Sequence, residues 1–77
     1  MDAEQWEQVE AVRYLFESGE ARSLRLAAGV SVVQVMRLVH VTRLTLKRWE
    51  TGESKPQPRH ALAYWPLIEL FRRTAQR

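Results

Sequence analysis

The stretch TRLTLKRWETGESKP, residues 42–56, sets Arg43, Lys47 and Arg48 beside Leu44, Leu46 and Trp49 before it reaches Gly52 and Pro56. Thr42 suits a helix N-cap and Gly52 a helix end, and GESKPQP reads as a loop because Pro56 and Pro58 do not fit inside a helix. A helix from Arg43 to Thr51 that buries Leu46 and Trp49 must turn residues 43, 44, 47 and 48 outward. That outward face is either an ordinary solvated basic surface or one that reads an anionic partner. The flanking sequence has to decide.

Charge is the first guide. The net charge is +3, but residues 1–20 hold six carboxylates against Arg13 alone, whereas residues 21–77 hold eleven Lys or Arg against Glu50, Glu53 and Glu69. The later part is built to meet an anion, and the acidic first segment does something else. At 77 residues, with 45% apolar and 27% charged side chains, the chain reads as one small soluble domain near the lower limit of independent stability. The absence of cysteine suits a reducing compartment, the acidic N-terminus is unlike a signal peptide, and no apolar run approaches a membrane span. A cytoplasmic protein without membrane contact is expected.

Upstream, Trp6, Val9, Val12, Leu15 and Phe16 recur at helical spacing from Asp2 onward, with carboxylates on the other faces. Asp2 and Gln5 form a candidate capping box, Glu4 and Glu7 suit the helix dipole, and Gly19 supplies the stop. A short second helix follows from Glu20 to Ala28, closed by Gly29. VSVVQVMRLVHV, residues 30–41, has the valine content of a strand, but Val32, Val35, Met36 and Val39 keep a helical stripe behind a Ser31 cap. Helix is the better reading. From Arg59, Leu62, Trp65, Leu67, Ile68, Leu70 and Phe71 make an apolar helical tail ending in Arg72, Arg73 and Arg77; Pro66 marks either a kink or the start of a further helix.

Two short helices joined at LVHVTR are the elements of a helix-turn-helix. Residues 24–56 resemble the Cro/C1 (Xre) family of helix-turn-helix regulators, to which the lambda repressor belongs. Leu24, Arg25, Gly29, Val30 and Ser31 match the first helix and the approach to the second, and Val35 and Val39 match the second-helix core. Val41, Thr42, Leu46, Trp49, Glu50, Gly52 and Pro56 match the turn, recognition helix and exit.

The resemblance implies an all-α fold, a compact bundle of five to six helices with an extra N-terminal helix. Together with the periodic segments on either side, the single domain 1–77 reads as an acidic helix (1–19), a helix-turn-helix core (20–58) and a C-terminal tail (59–77). The resemblance also implies a double-stranded DNA partner met through Thr42, Arg43, Leu44, Thr45, Lys47, Arg48 and Lys55. Arginines at 43 and 48 suit guanine edges, Leu44 a thymine methyl, Thr45 a base or phosphate, and Lys47 a phosphate. By the same resemblance Arg25 and Glu50 form a structural ion pair that braces the recognition helix. His40 takes the family's turn-glycine position, where a left-handed backbone is usual and His is better tolerated than most residues.

The chain departs from the family pattern at Val32, where a phosphate-clamping Gln is common, and at Met36, where a small residue is usual. Val33 and Leu38 are apolar at positions that are ordinarily wet, so the second helix needs a cover, either the acidic helix with Trp6, Val9, Val12 and Phe16 inward or a protein partner. Leu62, Trp65, Ile68 and Phe71 are the candidate dimer surface; closing the monomer core is the equal alternative.

No nucleophile and base pair, metal cluster or phosphate loop is present, so an enzyme, a cofactor and a metal site are not expected. The expected function is a sequence-specific DNA-binding regulator, a repressor acting as a homodimer on a palindromic operator, from a bacterium, phage or other mobile element. An antitoxin-type autoregulator that binds both DNA and a protein is one alternative, and a protein-docking module without DNA activity is another. LKRWE also resembles the MerR and excisionase groups, but Pro56, Pro58 and the helical tail argue against their wing.

Overall fold

The computed structural model describes residues 1–76, so Arg77 of the basic tail lies outside the described residues. Five helices follow one another, α1 (Ala3–Glu17), α2 (Glu20–Ala27), α3 (Val32–Val39), α4 (Arg43–Glu50) and α5 (Pro58–Ala75), with no strand among the described residues. The all-α expectation and the helical reading of the valine-rich segment both hold.

Local chemistry explains the boundaries. At α1, Asp2 Oδ1 accepts from the Gln5 amide at 2.8 Å and Gln5 Oε1 accepts from the Asp2 amide at 3.1 Å, a reciprocal capping box. The same device starts α3, where Ser31 Oγ accepts from the Gln34 amide and Gln34 Oε1 from the Ser31 amide. Between α1 and α2 the chain reverses through Ser18 and Gly19 alone, and Gly19 takes φ 84°, which a side chain would resist. Thr42 caps α4 by accepting from the Thr45 amide at 3.2 Å.

α5 differs from the sequence expectation in two respects. Pro58 is its first residue rather than part of the loop, because a proline at N1 sacrifices an amide that has no helical acceptor in any case. Pro66 lies inside the same continuous helix instead of dividing it. Its ring is exposed, while Ala61, Tyr64, Leu67, Ile68 and Phe71 on the opposite side are buried. Burial of that stripe outweighs the lost hydrogen bond.

The core joins Val9, Val12, Leu15 and Phe16 of α1 to Ala21, Val35, Val39, Leu46 and Trp49 of the helix-turn-helix and to the buried stripe of α5. Phe16 is its hub, with ring centroids 4.7 Å from Tyr64 and 5.6 Å from Trp49. Arg13 Nε adds a polar tie by donating to the carbonyl of buried Pro56 at 3.0 Å. α1 therefore packs on α5, α2 and α4 as part of the domain.

Two expectations about apolar side chains need correcting. Ile68 and Phe71 are 0% and 1% exposed in the single chain, so they close the monomer core and cannot form a dimer surface; Leu62 and Trp65 are half-buried against that core. Trp6 is 47% exposed rather than inward, since the α1 stripe is buried only from Val9 onward. Nor does α1 cover the outer face of α3, where Val33 and Leu38 stay exposed.

Replacing Phe71 with alanine should cost about 3–5 kcal/mol as a cavity opens beside Tyr64. Pro66→Ala should stabilise the chain by about 2 kcal/mol, because relief of roughly 3 kcal/mol in a helix interior is partly offset by a freer unfolded chain. Urea unfolding midpoints measure both, and a less stable Pro66→Ala variant would show that the packing of α5 requires the proline ring.

Candidate nucleic-acid interface

α2, α3 and α4 set out the helix-turn-helix, and its turn depends on His40. With φ 56° and ψ 52°, His40 is the single non-glycine residue with positive φ among the described residues. Its amide donates to Met36 O while the following Val41 amide donates to Met36 O at 3.3 Å, so α3 ends and the chain turns within two residues to the Thr42 cap. The backbone role expected for His40 is the one it fills.

Leu46 and Trp49 anchor α4 inward, and Trp49 sits between Phe16 and His60, each with a ring centroid 5.6 Å away. Arg43, Leu44, Lys47 and Arg48 are consequently exposed, Leu44 to 54%, a large exposure for an aliphatic residue flanked by cations. Lys55 is exposed in the loop beyond Gly52. Thr42 and Thr45 are partly engaged already: the Thr42 hydroxyl donates to Thr45 Oγ1 at 3.0 Å, and Thr45 is half-buried. Arg48 lies 3.8 Å from Glu53, with both side chains largely exposed, a contact that water and salt weaken readily.

The fixed part of the site is the pair Arg25–Glu50. Arg25 Nε donates to Glu50 Oε2 at 2.7 Å, Nη2 donates to Oε1 at 3.0 Å, and Nη1 donates to Val30 O at 2.9 Å. Both side chains are almost wholly withdrawn from water. The hydrogen bonds to Glu50 hold Arg25 above its ordinary pKa against the opposing effect of burial. One guanidinium thus fastens α2 to the last residue of α4 and to the loop that leads into α3. This fork-to-fork geometry is specific to arginine.

Tyr64 feels the charges of the pair, and its own buried hydroxyl has no hydrogen-bond partner among the described residues. Burial raises its pKa well above the ordinary phenol range, and the nearby Glu50 charge adds to the rise while Arg25 opposes it.

A cleft of ≈290 Å³ opens beside the pair, lined by Arg22, Arg25, Val32, Arg43, Lys47 and Glu50. The recognition-helix pattern does not single out Arg22. Its position three residues before Arg25 in α2 was the available signal, since that spacing places the two on one face of the helix.

Among the described residues there is no cluster of His, Cys, Asp and Glu able to hold a metal, and no helix is long and apolar enough to cross a membrane.

Glu50→Ala should destabilise the fold by about 3–5 kcal/mol, because it strands the Arg25 guanidinium in a buried site. Tyr64→Phe should leave stability equal or raise it by about 1 kcal/mol, since it removes an unpaired hydroxyl. The raised folded-state pKa means that the stability Tyr64 contributes is complete below its unfolded value of about 10 and declines as pH climbs through that value. Phenylalanine should remove that part of the alkaline decline. Thermal melting from pH 8 to 11 reads both effects.

A protein family described as helix-turn-helix domain matches residues 18–65. No curated protein and no solved structure matches the chain. The matched span covers α2, α3, α4, the cleft and the first part of α5, and agrees with the Cro/C1-like resemblance read from residues 24–56. The chain belongs to the helix-turn-helix domain family.

Proposed function

We propose that the protein is a sequence-specific double-stranded DNA-binding transcriptional regulator that inserts α4 into the major groove. The observation that carries this reading is the combination at α4: a helix pinned from behind by Leu46, Trp49 and Glu50 that offers Arg43, Leu44, Lys47 and Arg48 to solvent. A solvated basic face needs the apolar packing but not the buried ion-pair fork at Glu50. Arg43 and Arg48 donate to guanine O6 and N7, Leu44 packs on a thymine methyl, and Lys47 and Lys55 meet phosphates. Thr42 and Thr45, held to each other, contribute shape and a hydroxyl at the start of the helix.

One such helix discriminates too few base pairs to find a single site in a genome, because each good bidentate contact contributes about 1–3 kcal/mol. A homodimer on a palindromic operator with half-sites about one helical turn apart supplies the rest, and occlusion of a promoter makes it a repressor. With Ile68 and Phe71 committed to the core, the dimer surface falls to other residues; half-buried Leu62 and Trp65 and exposed Leu70 are what α5 still offers.

A second reading, an antitoxin-type or otherwise partner-bound autoregulator, is favoured by one observation: Val33 and Leu38 are exposed on α3, with α1 packed elsewhere.

Selection of bound sites from random duplexes at stated salt tests the proposal. A palindromic consensus with G at the arginine-contacted positions is expected. Arg48→Ala should weaken binding to that site by about 1–3 kcal/mol for each half-site and relax preference at one position per half-site. Unchanged duplex affinity after combined Arg43→Ala and Arg48→Ala would instead mark a protein-docking module.

A further inference from the structure

From the cleft between α2 and α4, we infer that Arg22, with Lys47 and the first amides of α3, forms a clamp for one phosphate of the DNA backbone. The inference rests on the DNA-binding reading and extends it to a residue outside the recognition helix. Arg22, Arg43 and Lys47 converge on this cleft, and among the described residues none of the three takes part in an ion pair. The one carboxylate in the lining, Glu50, is consumed by the two Arg25 hydrogen bonds. The cleft thus gathers three uncompensated cations around about 290 Å³ of open space. Placing like charges together is unfavourable unless an anion joins them.

The geometry favours a phosphodiester. Val32 starts α3 at the edge of the cleft, and with the Gln34 amide taken by Ser31 Oγ it is the Val32 and Val33 amides, without a helical acceptor, that with the helix dipole suit an anionic oxygen. Val32 itself has no polar side chain with which to hold one. Arg22, supplied from the neighbouring helix, provides the missing donor, and its planar fork matches phosphate oxygens. Arg43 and Lys47 sit on the flank of α4 that faces the cleft, whereas Arg48 sits beside Glu53 outside it. A phosphate held there fixes the depth of α4 in the groove without reading sequence.

Duplex binding as a function of salt tests the clamp. Each lost phosphate contact should lower the magnitude of the slope of log affinity against log salt by about 0.9, so a dimer that loses one per protomer should lose about 1.8. Arg22→Ala should show that loss equally on the selected site and on a random duplex, and Arg22→Lys should restore part of it.

Unaltered affinity and slope in Arg22→Ala would overturn the clamp, as would a loss confined to one base sequence. In either case Arg48→Ala would still relax site preference and the DNA reading would stand. A wild-type chain that binds no duplex would end both.

Discussion

The Arg25–Glu50 pair is the constraint on which the orientation of the helix-turn-helix depends. Two parallel hydrogen bonds of 2.7 and 3.0 Å leave the guanidinium little freedom of rotation, and its third contact, to Val30 O, fixes the loop before α3. Such a buried pair is costly to desolvate and adds little to net stability compared with well-packed apolar residues. Its value lies in geometry. Apolar packing through Leu46 and Trp49 tolerates small rolls of α4, whereas a forked ion pair at Glu50 does not, and a roll of that helix would re-aim every exposed side chain on it.

Chemistry outside the helix-turn-helix supports the pair. Phe16 of α1 and Tyr64 of α5 meet edge to face at 4.7 Å, and buried Tyr64 lies near enough to Arg25 and Glu50 to feel their charges. Low-dielectric surroundings strengthen the ion pair and also leave the Tyr64 hydroxyl without a partner. The acidic character of α1 fits this arrangement: its buried stripe faces the core while its carboxylates remain in water.

Where position along the chain determined the outcome, the sequence was legible. Asp2 with Gln5, Ser31 before α3, Thr42 before α4 and the unusual backbone at His40 are local devices, and each acts where the pattern places it. The Arg25–Glu50 pair lies 25 residues apart and was readable only through family resemblance. Tertiary packing decided the rest. Pro66 stays inside α5 because the buried stripe around it outweighs local propensity, and Ile68 and Phe71 turn inward because they belong to the core that α5 shares with α1 and the helix-turn-helix. Trp6 belongs to the same periodic stripe as Val9, but periodicity cannot reveal where the burial of a stripe begins. Arg22 was hidden for a similar reason, since a cleft between two helices has no signature on either one alone.

The aromatic chain from Trp49 through Phe16 and Tyr64 to Phe71 crosses both ends of the span that matches the family. Phe16 precedes that span and Phe71 follows it, yet the anchor of α4 leans on the first and Tyr64 on the second. The stretch shared with the family is therefore shorter than the stretch that must fold together. Excising residues 18–65 would keep the motif and remove the walls of its core, so the motif's portability between proteins depends on each host rebuilding those walls.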